Sequence, residues 1–337
     1  MQVNKASDDT SAQFDCRQII QAIRSDEQSW RQRYPILQHQ NALGLGILLL
    51  ALSGMIFSGY LYYLDFISAW LCIIVGAFCA SLSHEIEHDL IHRQYFRDQP
   101  VVYNTMMLVT WLMRPNTVSP WYRRDMHLLH HKVSGTPQDI EERLVGNGIA
   151  YGFSRLVVML DGLLGLCLRQ AVLRHEVNNF SMGKLLRASF PFGSLYFFTW
   201  YVFLVFHVYD GLFGGDYPQS LVSLMKGVDF TVVVLIAPNF IRSACLNFMT
   251  SNMHYYGNVH SLAQQTQILD RWYFVPLQLF CCNFGSTHSI HHFVVSQPFY
   301  LRQLVAPKAH QVMRQYGVRH NDLSTFMTAN RRLSDIS

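Results

Sequence analysis

Charge is what this chain has least of. Asp and Glu number 22 and Lys and Arg 26 in 337 residues, 14% together, against 50% hydrophobic residues; soluble globular chains carry about 25% charged residues. The balance argues for a membrane protein. A disulfide framework is also missing. The seven cysteines are odd in number, and Cys72, Cys79 and Cys245 fall in or near apolar runs, so Cys281-Cys282 reads as packing. There is no internal repeat and no low-complexity segment. Met1 to Thr10 is polar and has no apolar h-region, so no cleaved signal peptide is expected and the first span serves as its own insertion signal. Nor is there a nucleic-acid footprint. The net charge of +4 is dispersed and interleaved with Asp and Glu, which favours anionic membrane lipids as partners and no nucleic acid.

What is there instead is long apolar sequence. Ala42 to Leu61 and Phe66 to Ser83 carry no charged residue, and each crosses a bilayer at a helical rise of about 1.5 Å per residue. Tyr62-Tyr63-Leu64-Asp65 turns between them, making an antiparallel hairpin with an aromatic edge. A second hairpin is expected downstream, around a loop at Gly214-Gly215-Asp216-Tyr217-Pro218, with Arg242 interrupting its second member. The expected spans are about 42–62, 66–84, 189–209 and 229–249. Lys5, Arg17, Arg24, Arg31 and Arg33 precede the first, and Arg93, Arg97, Arg114, Arg123, Arg124, Lys132 and Arg143 follow the second. Only Lys226 lies on the opposite side. The positive-inside rule therefore places both termini and the segment after the second span in the cytoplasm. Val101 to Met113 is too short to span and reads as an interfacial helix. The expected architecture is all-α and polytopic: a polar cytoplasmic segment 1–41, a membrane-bound domain 42–302 with about four transmembrane helices in two hairpins and a cytoplasmic helical cap, and a cytoplasmic tail 303–337.

Ten of the sixteen histidines fall in four short segments. His88 and His92 are one helical turn apart. His127, His130 and His131 repeat an i, i+3, i+4 step, as do His288, His291 and His292, so each set shares one helical face. His254 follows the fourth span. That is more imidazole than one four-coordinate zinc ion can use, and two metals are implied. His39, His175, His207, His260, His310 and His320 lack such spacing and read as ordinary core or surface residues. The first cluster begins where the second span ends, so the expected dimetal site lies in the cap, just beneath the membrane.

His88-Asp89-Leu90-Ile91-His92, Trp121 to His131, and His288 to His292 followed by Phe293 and Pro298 resemble the histidine boxes of the membrane-bound fatty acid desaturase, hydroxylase and alkane monooxygenase superfamily. Phe96 and Asn104 sit where such enzymes often have an aromatic residue and an asparagine. Asn252 to Gly257, with His254, is similar to an extra box of the alkane monooxygenase branch. The resemblance runs from the first hairpin to about Arg302. It implies two iron ions, O2 as co-substrate, a fatty acid or acyl-chain substrate, and ligands drawn from His88, His92, His127, His130, His131, His254, His288, His291 and His292. His84 precedes His88 by one turn and offers a second HxxxH register, as an alternate ligand or a support for the others. Glu85, Glu87, Asp89, Asp139, Glu141 and Glu142 are candidates to orient imidazoles through their free N–H. Arg123 and Arg124 stand where a carboxylate or phosphate head could arrive, although positive-inside anchoring also accounts for them.

A different class competes at the first cluster. His84-Glu85-Ile86-Glu87-His88 is literally HExxH, the zinc-protease helix, and Leu160-Asp161-Gly162 adds to the likeness of an intramembrane metalloprotease. That reading leaves six clustered histidines without a role. A metal transporter would carry ionisable ligands deep inside its spans, whereas these lie at the span ends. Among oxygen-dependent outcomes fatty acid desaturation comes first, with hydroxylation of an alkane or fatty acid and oxidative decarboxylation to a terminal alkene as alternatives. The flanks of the spans are too short for a fused electron-transfer module, so electrons are expected from a separate ferredoxin, rubredoxin or cytochrome b5 type donor with its reductase, steered to a basic cap by charge.

Overall fold

The computed structural model describes residues 3–333, with side chains from residue 15 onward; the reading of Met1 to Thr10 lies outside the described side chains. Helix dominates, and among the described residues only three isolated β-bridges join extended segments. Four helices are long and apolar enough to cross a membrane: Gln40–Tyr63, Ala69–Ile91, Phe192–Phe213 and Gln219–Met253.

Helix α1 (Val3–Arg33) leads through a short turn to α2 (Gln40–Tyr63) and α3 (Ala69–Ile91). Ser68 caps α3 by accepting from the Leu71 amide at 3.3 Å, which satisfies one of the free N–H groups of its first turn. Small residues bring the first hairpin together: a Cβ added at Gly54 would meet Cys79 Sγ at 2.7 Å. Gly76 does the same toward the last span, where a Cβ would lie 2.9 Å from Pro238 Cγ. Close backbone approach through small residues is the usual packing device inside a membrane.

The expected interfacial segment is α4 (Pro100–Met113), which starts on Pro100 and buries Tyr103, Met106, Met107 and Trp111. Next come α5 (Pro120–Val133), capped by Ser119, and the one-turn α6 (Ile140–Leu144), capped by Asp139. Then α7 (Phe153–Leu160), α8 (Gly162–Glu176) and α9 (Met182–Ser189) lead into α10 (Phe192–Phe213). The loop at residues 214–218 is where the sequence put it. The fourth span, however, begins at Gln219 rather than about 229: α11 (Gln219–Thr231), a π-helical turn at Val232–Ile236 and α12 (Ala237–Met253) form one rod of 35 residues. Lys226 and Asp229 dilute its hydropathy without breaking the helix. The π turn falls just before Pro238, whose ring nitrogen has no proton to donate, so the hydrogen-bond register slips there.

Beyond the span, α13 (Val275–Gln278), α14 (Phe284–Phe293) and α15 (Phe299–Gln315) complete the cap. Ile19 and Ile23 of α1 pack with Ile290 and Phe293 of α14 and with Val305, Ala309 and Met313 of α15. The first and last helices thus close over the third histidine cluster.

Candidate metal centre

Four helix ends converge. His84 and His88 lie on the last two turns of α3, and His92 is its C-cap. His127, His130 and His131 lie on one face of α5, and His288, His291 and His292 on α14. His254 ends α12 in extended backbone, bridged to Thr266.

The imidazoles form two groups. In the outer one, His88, His92, His127 and His291 offer nitrogens that all lie within 4.8 Å of one another; the Nε2 atoms of His88 and His92 are each 3.1 Å from that of His127. His131 joins this group, its Nε2 being 3.2 Å from His127 Nε2 and 3.0 Å from His291 Nε2. The inner group is His130, His254, His288 and His292, again within 4.8 Å, with His288 and His292 Nε2 at 3.2 and 3.3 Å from His254 Nε2. The nine histidines favoured from the sequence all fall into these two groups. His84 falls in neither. Its Nε2 lies 2.9 Å from an Arg123 guanidinium nitrogen and its Nδ1 3.2 Å from Glu85. Glu85 is in turn ion-paired with Arg302 at 3.0 Å. The protease arrangement of His84, Glu85 and His88 around one zinc therefore does not assemble.

Convergent Nε2 atoms face one another as lone pairs only if the protons sit on Nδ1, and carboxylates hold several there. His127 Nδ1 is 2.8 Å from Glu141, His130 Nδ1 2.8 Å from Asp139, and His254 Nδ1 3.2 Å from Glu142. His292 Nδ1 lies 3.1 Å from Gln265 Oε1. These outer partners fix tautomer and ring direction. Burial, and then neighbouring imidazoles, push His127, His288, His291 and His292 well below their ordinary pKa and His92 to about 2, which keeps them in the neutral form that binds metal. His130 differs. Burial alone would lower it too, but the charge and hydrogen bond of Asp139 outweigh burial and raise it to about 10, so metal binding there displaces a proton. Two clusters of buried, converging imidazole nitrogens suit transition metals such as iron, zinc or copper, and not the oxygen-preferring magnesium or calcium.

A cavity of about 1130 Å³ opens from the histidines and follows α10 toward Tyr217 and Leu224. Its metal end is lined by His88, His127, His130 and His288, and its length mostly by apolar and aromatic side chains such as Val158, Phe197, Trp200 and Val205. An elongated apolar ligand with one end at the histidines is what this shape accepts.

The family model for fatty acid desaturases matches residues 64–324. The chain belongs to the fatty acid desaturase family. Membership makes it a metal-dependent oxidoreductase of the desaturase and oxygenase type, with a fatty acyl substrate and a lipid environment. No curated protein matches it.

In this desaturase-family protein, three of the six acidic candidates serve imidazoles of the two groups: Asp139, Glu141 and Glu142. Glu85 serves His84, whereas Glu87 pairs with Arg114 and Arg123, and Asp89 with Arg302 and Tyr95. Asn104 accepts from Trp121 Nε1 at 2.8 Å and so ties α4 to α5. No sequence signal pointed to Gln265, which reaches His292 from an irregular loop. Nor did the sequence give a site role to Arg114, or to Arg242 beyond an interruption of the fourth span; both are buried side chains on the cavity wall. Their only signal was a charge inside or beside an apolar run.

Proposed function

We propose that this protein is an O2-dependent diiron oxidoreductase that attacks the aliphatic chain of a fatty acid or fatty acyl lipid, most simply as a fatty acid desaturase. The observation that carries the reading is the pair of converging imidazole groups at one end of a long apolar cavity. His88, His92, His127, His131 and His291 would hold one iron and His130, His254, His288 and His292 the other, leaving His84 as a support for Arg123. Two irons bound there supply an oxidant strong enough to break an unactivated C–H bond.

The chain's own residues do the rest. Asp139, Glu141, Glu142 and Gln265 aim the imidazoles. The walls from α7, α10 and α12 hold the acyl chain in line and exclude water from the reacting carbons. With the basic segments inside, the cap and its metals face the cytoplasm. His92 and His131 are the two partly exposed members of the nine, against seven that are buried, which supports electron delivery from a separate ferredoxin, rubredoxin or cytochrome b5 type donor at the outer group.

His254 favours a second outcome of the same attack. Its box resembles that of alkane monooxygenases, so hydroxylation near a chain end is the alternative, with oxidative decarboxylation to a terminal alkene beside it. The deciding experiment supplies purified protein with reductant, O2 and a panel of acyl substrates, and identifies products by mass spectrometry alongside the metal content. Two irons per chain and an oxygen-dependent double bond are expected. A single zinc with O2-independent activity would overturn the proposal, and a hydroxylated product would select the second reading.

A further inference from the structure

Three arginines line the cavity where it meets the histidines: Arg114 just past α4, Arg123 on α5 and Arg242 on α12. Arg114 and Arg242 are 0% and 3% exposed. A guanidinium stays charged inside a protein, and a buried charge is costly unless it is paired. Arg114 contacts Glu87 Oε2, Arg123 donates to Glu87 Oε1 at 2.9 Å, and Arg123 Nε lies 3.9 Å from Glu141 Oε1. Arg242 has no carboxylate within ion-pair distance among the described residues; it donates to Ser243 Oγ at 2.7 Å. Arg242 Nε and Arg114 Nε and Nη1 are buried without a hydrogen-bond partner.

Arg114 and Arg123 share Glu87, so Arg242 is the guanidinium of the three left without a carboxylate partner among the described residues. Acceptors are missing for at least three N–H groups, on Arg242 and Arg114. A carboxylate supplies a partner for Arg242 and acceptors for these N–H groups, since its two oxygens match the fork of a guanidinium. A phosphate monoester would bring roughly two negative charges to the one guanidinium that lacks a partner.

We propose that Arg242 and Arg114 form a head-group subsite for the carboxylate of a free, unesterified fatty acid, whose chain then runs along α10. The inference rests on the reading above that this cavity holds the aliphatic substrate. From Gly193 to Tyr209 the wall of α10 extends roughly 24 Å at helical rise, room for a long saturated chain. The subsite lies close to the outer group: Arg123, which shares Glu87 with Arg114, is 2.9 Å from His84 Nε2, and the His84 ring lies 6.4 Å from that of His88. The carbons offered to the metals are accordingly those nearest the carboxyl end. An acyl ester or thioester brings no charge to this place.

The test compares radiolabelled dodecanoate, 1-dodecanol and methyl dodecanoate binding to the full chain in detergent, with and without iron. Dodecanoate should bind at least about tenfold more tightly than the other two, as a charge-assisted hydrogen bond implies. Arg242→Gln should bring the three to within about threefold while leaving iron content and dodecanol binding unchanged, and Arg242→Lys should restore part of the preference. Equal binding of all three by the wild-type protein would overturn the proposal, whether or not the variants fold, as would an Arg242→Gln protein that still prefers the acid. Because the readout is binding and does not require turnover, a protein that prefers dodecanoate yet holds no iron or oxidises no acyl chain would defeat the proposed function and not this subsite.

Discussion

Ala69–Ile91 and Phe192–Phe213 are helices of 23 and 22 residues, both apolar enough to cross a membrane, yet 61% of the first one's most apolar stretch is buried and only 11% of the second's. Side-chain size explains the difference. The inner half of α3 reads Gly76, Ala77, Cys79, Ala80, Ser81, Ser83, and these buried small residues let α2 and α12 come close. The corresponding faces of α10 carry Phe197, Phe198, Trp200, Tyr201 and Phe206, which stand off from their neighbours and wall a cavity. One hairpin is built to hold two imidazoles still; the other is built to leave room. Of these two spans, α3 carries imidazoles and α10 carries substrate capacity.

The sharpest test of that division lies on α3 itself. His88→Ala should cost activity by more than the roughly 100-fold that losing an outer partner of a metal ligand costs and should lower bound iron, whereas His84→Ala, one turn earlier, should keep both irons per chain. Metal analysis on the two purified variants separates them, and iron loss in both would erase the distinction drawn between these histidines. Asp139→Asn, in the cap that α3 anchors, should weaken metal binding by about 10–100-fold, read by competition with a chelator. Gly76→Ala forces a Cβ against Pro238 at 2.9 Å and should destabilise the protein by about 1–3 kcal/mol, measured by thermal unfolding in detergent. The smallest effect belongs to α10. Leu195 is 60% exposed, and Leu195→Ala should change stability by no more than about 0.5 kcal/mol; a shift as large as that of Gly76→Ala would mean that α10 is as tightly packed as α3.

The histidine boxes were legible because helical spacing turns three sequence steps into three faces, and those faces did meet. His254 was legible only through its likeness to a known box. Asp139, Glu141 and Glu142 could be suspected because they follow the second box within a short turn. Gln265 could not, since it reaches His292 from 27 residues away through an irregular loop. Arg242 looked like a flaw in a span, because a sequence read one residue at a time shows a charge and not the cavity it faces. The early start of the fourth span was hidden for a similar reason. Hydropathy falls at Lys226 and Asp229, but helix continuity depends on backbone hydrogen bonds that neither residue interrupts.

The strand of chain that carries His254 is tied down from far away. Its carbonyl accepts from Asn147 Nδ2 at 2.9 Å and from Asn330 Nδ2 at 3.0 Å, and the Tyr256 amide donates to the Asn330 carbonyl at 2.8 Å. Asn330 follows His254 by 76 residues and lies beyond the stretch matched by the family model. Asn147 is made before the second hairpin, but Asn330 emerges from the ribosome only after both hairpins and all three histidine boxes. The outer group depends on neither asparagine. The imidazoles of the outer group are thus all in the chain once His291 is made, whereas the inner group is fully anchored only after Asn330.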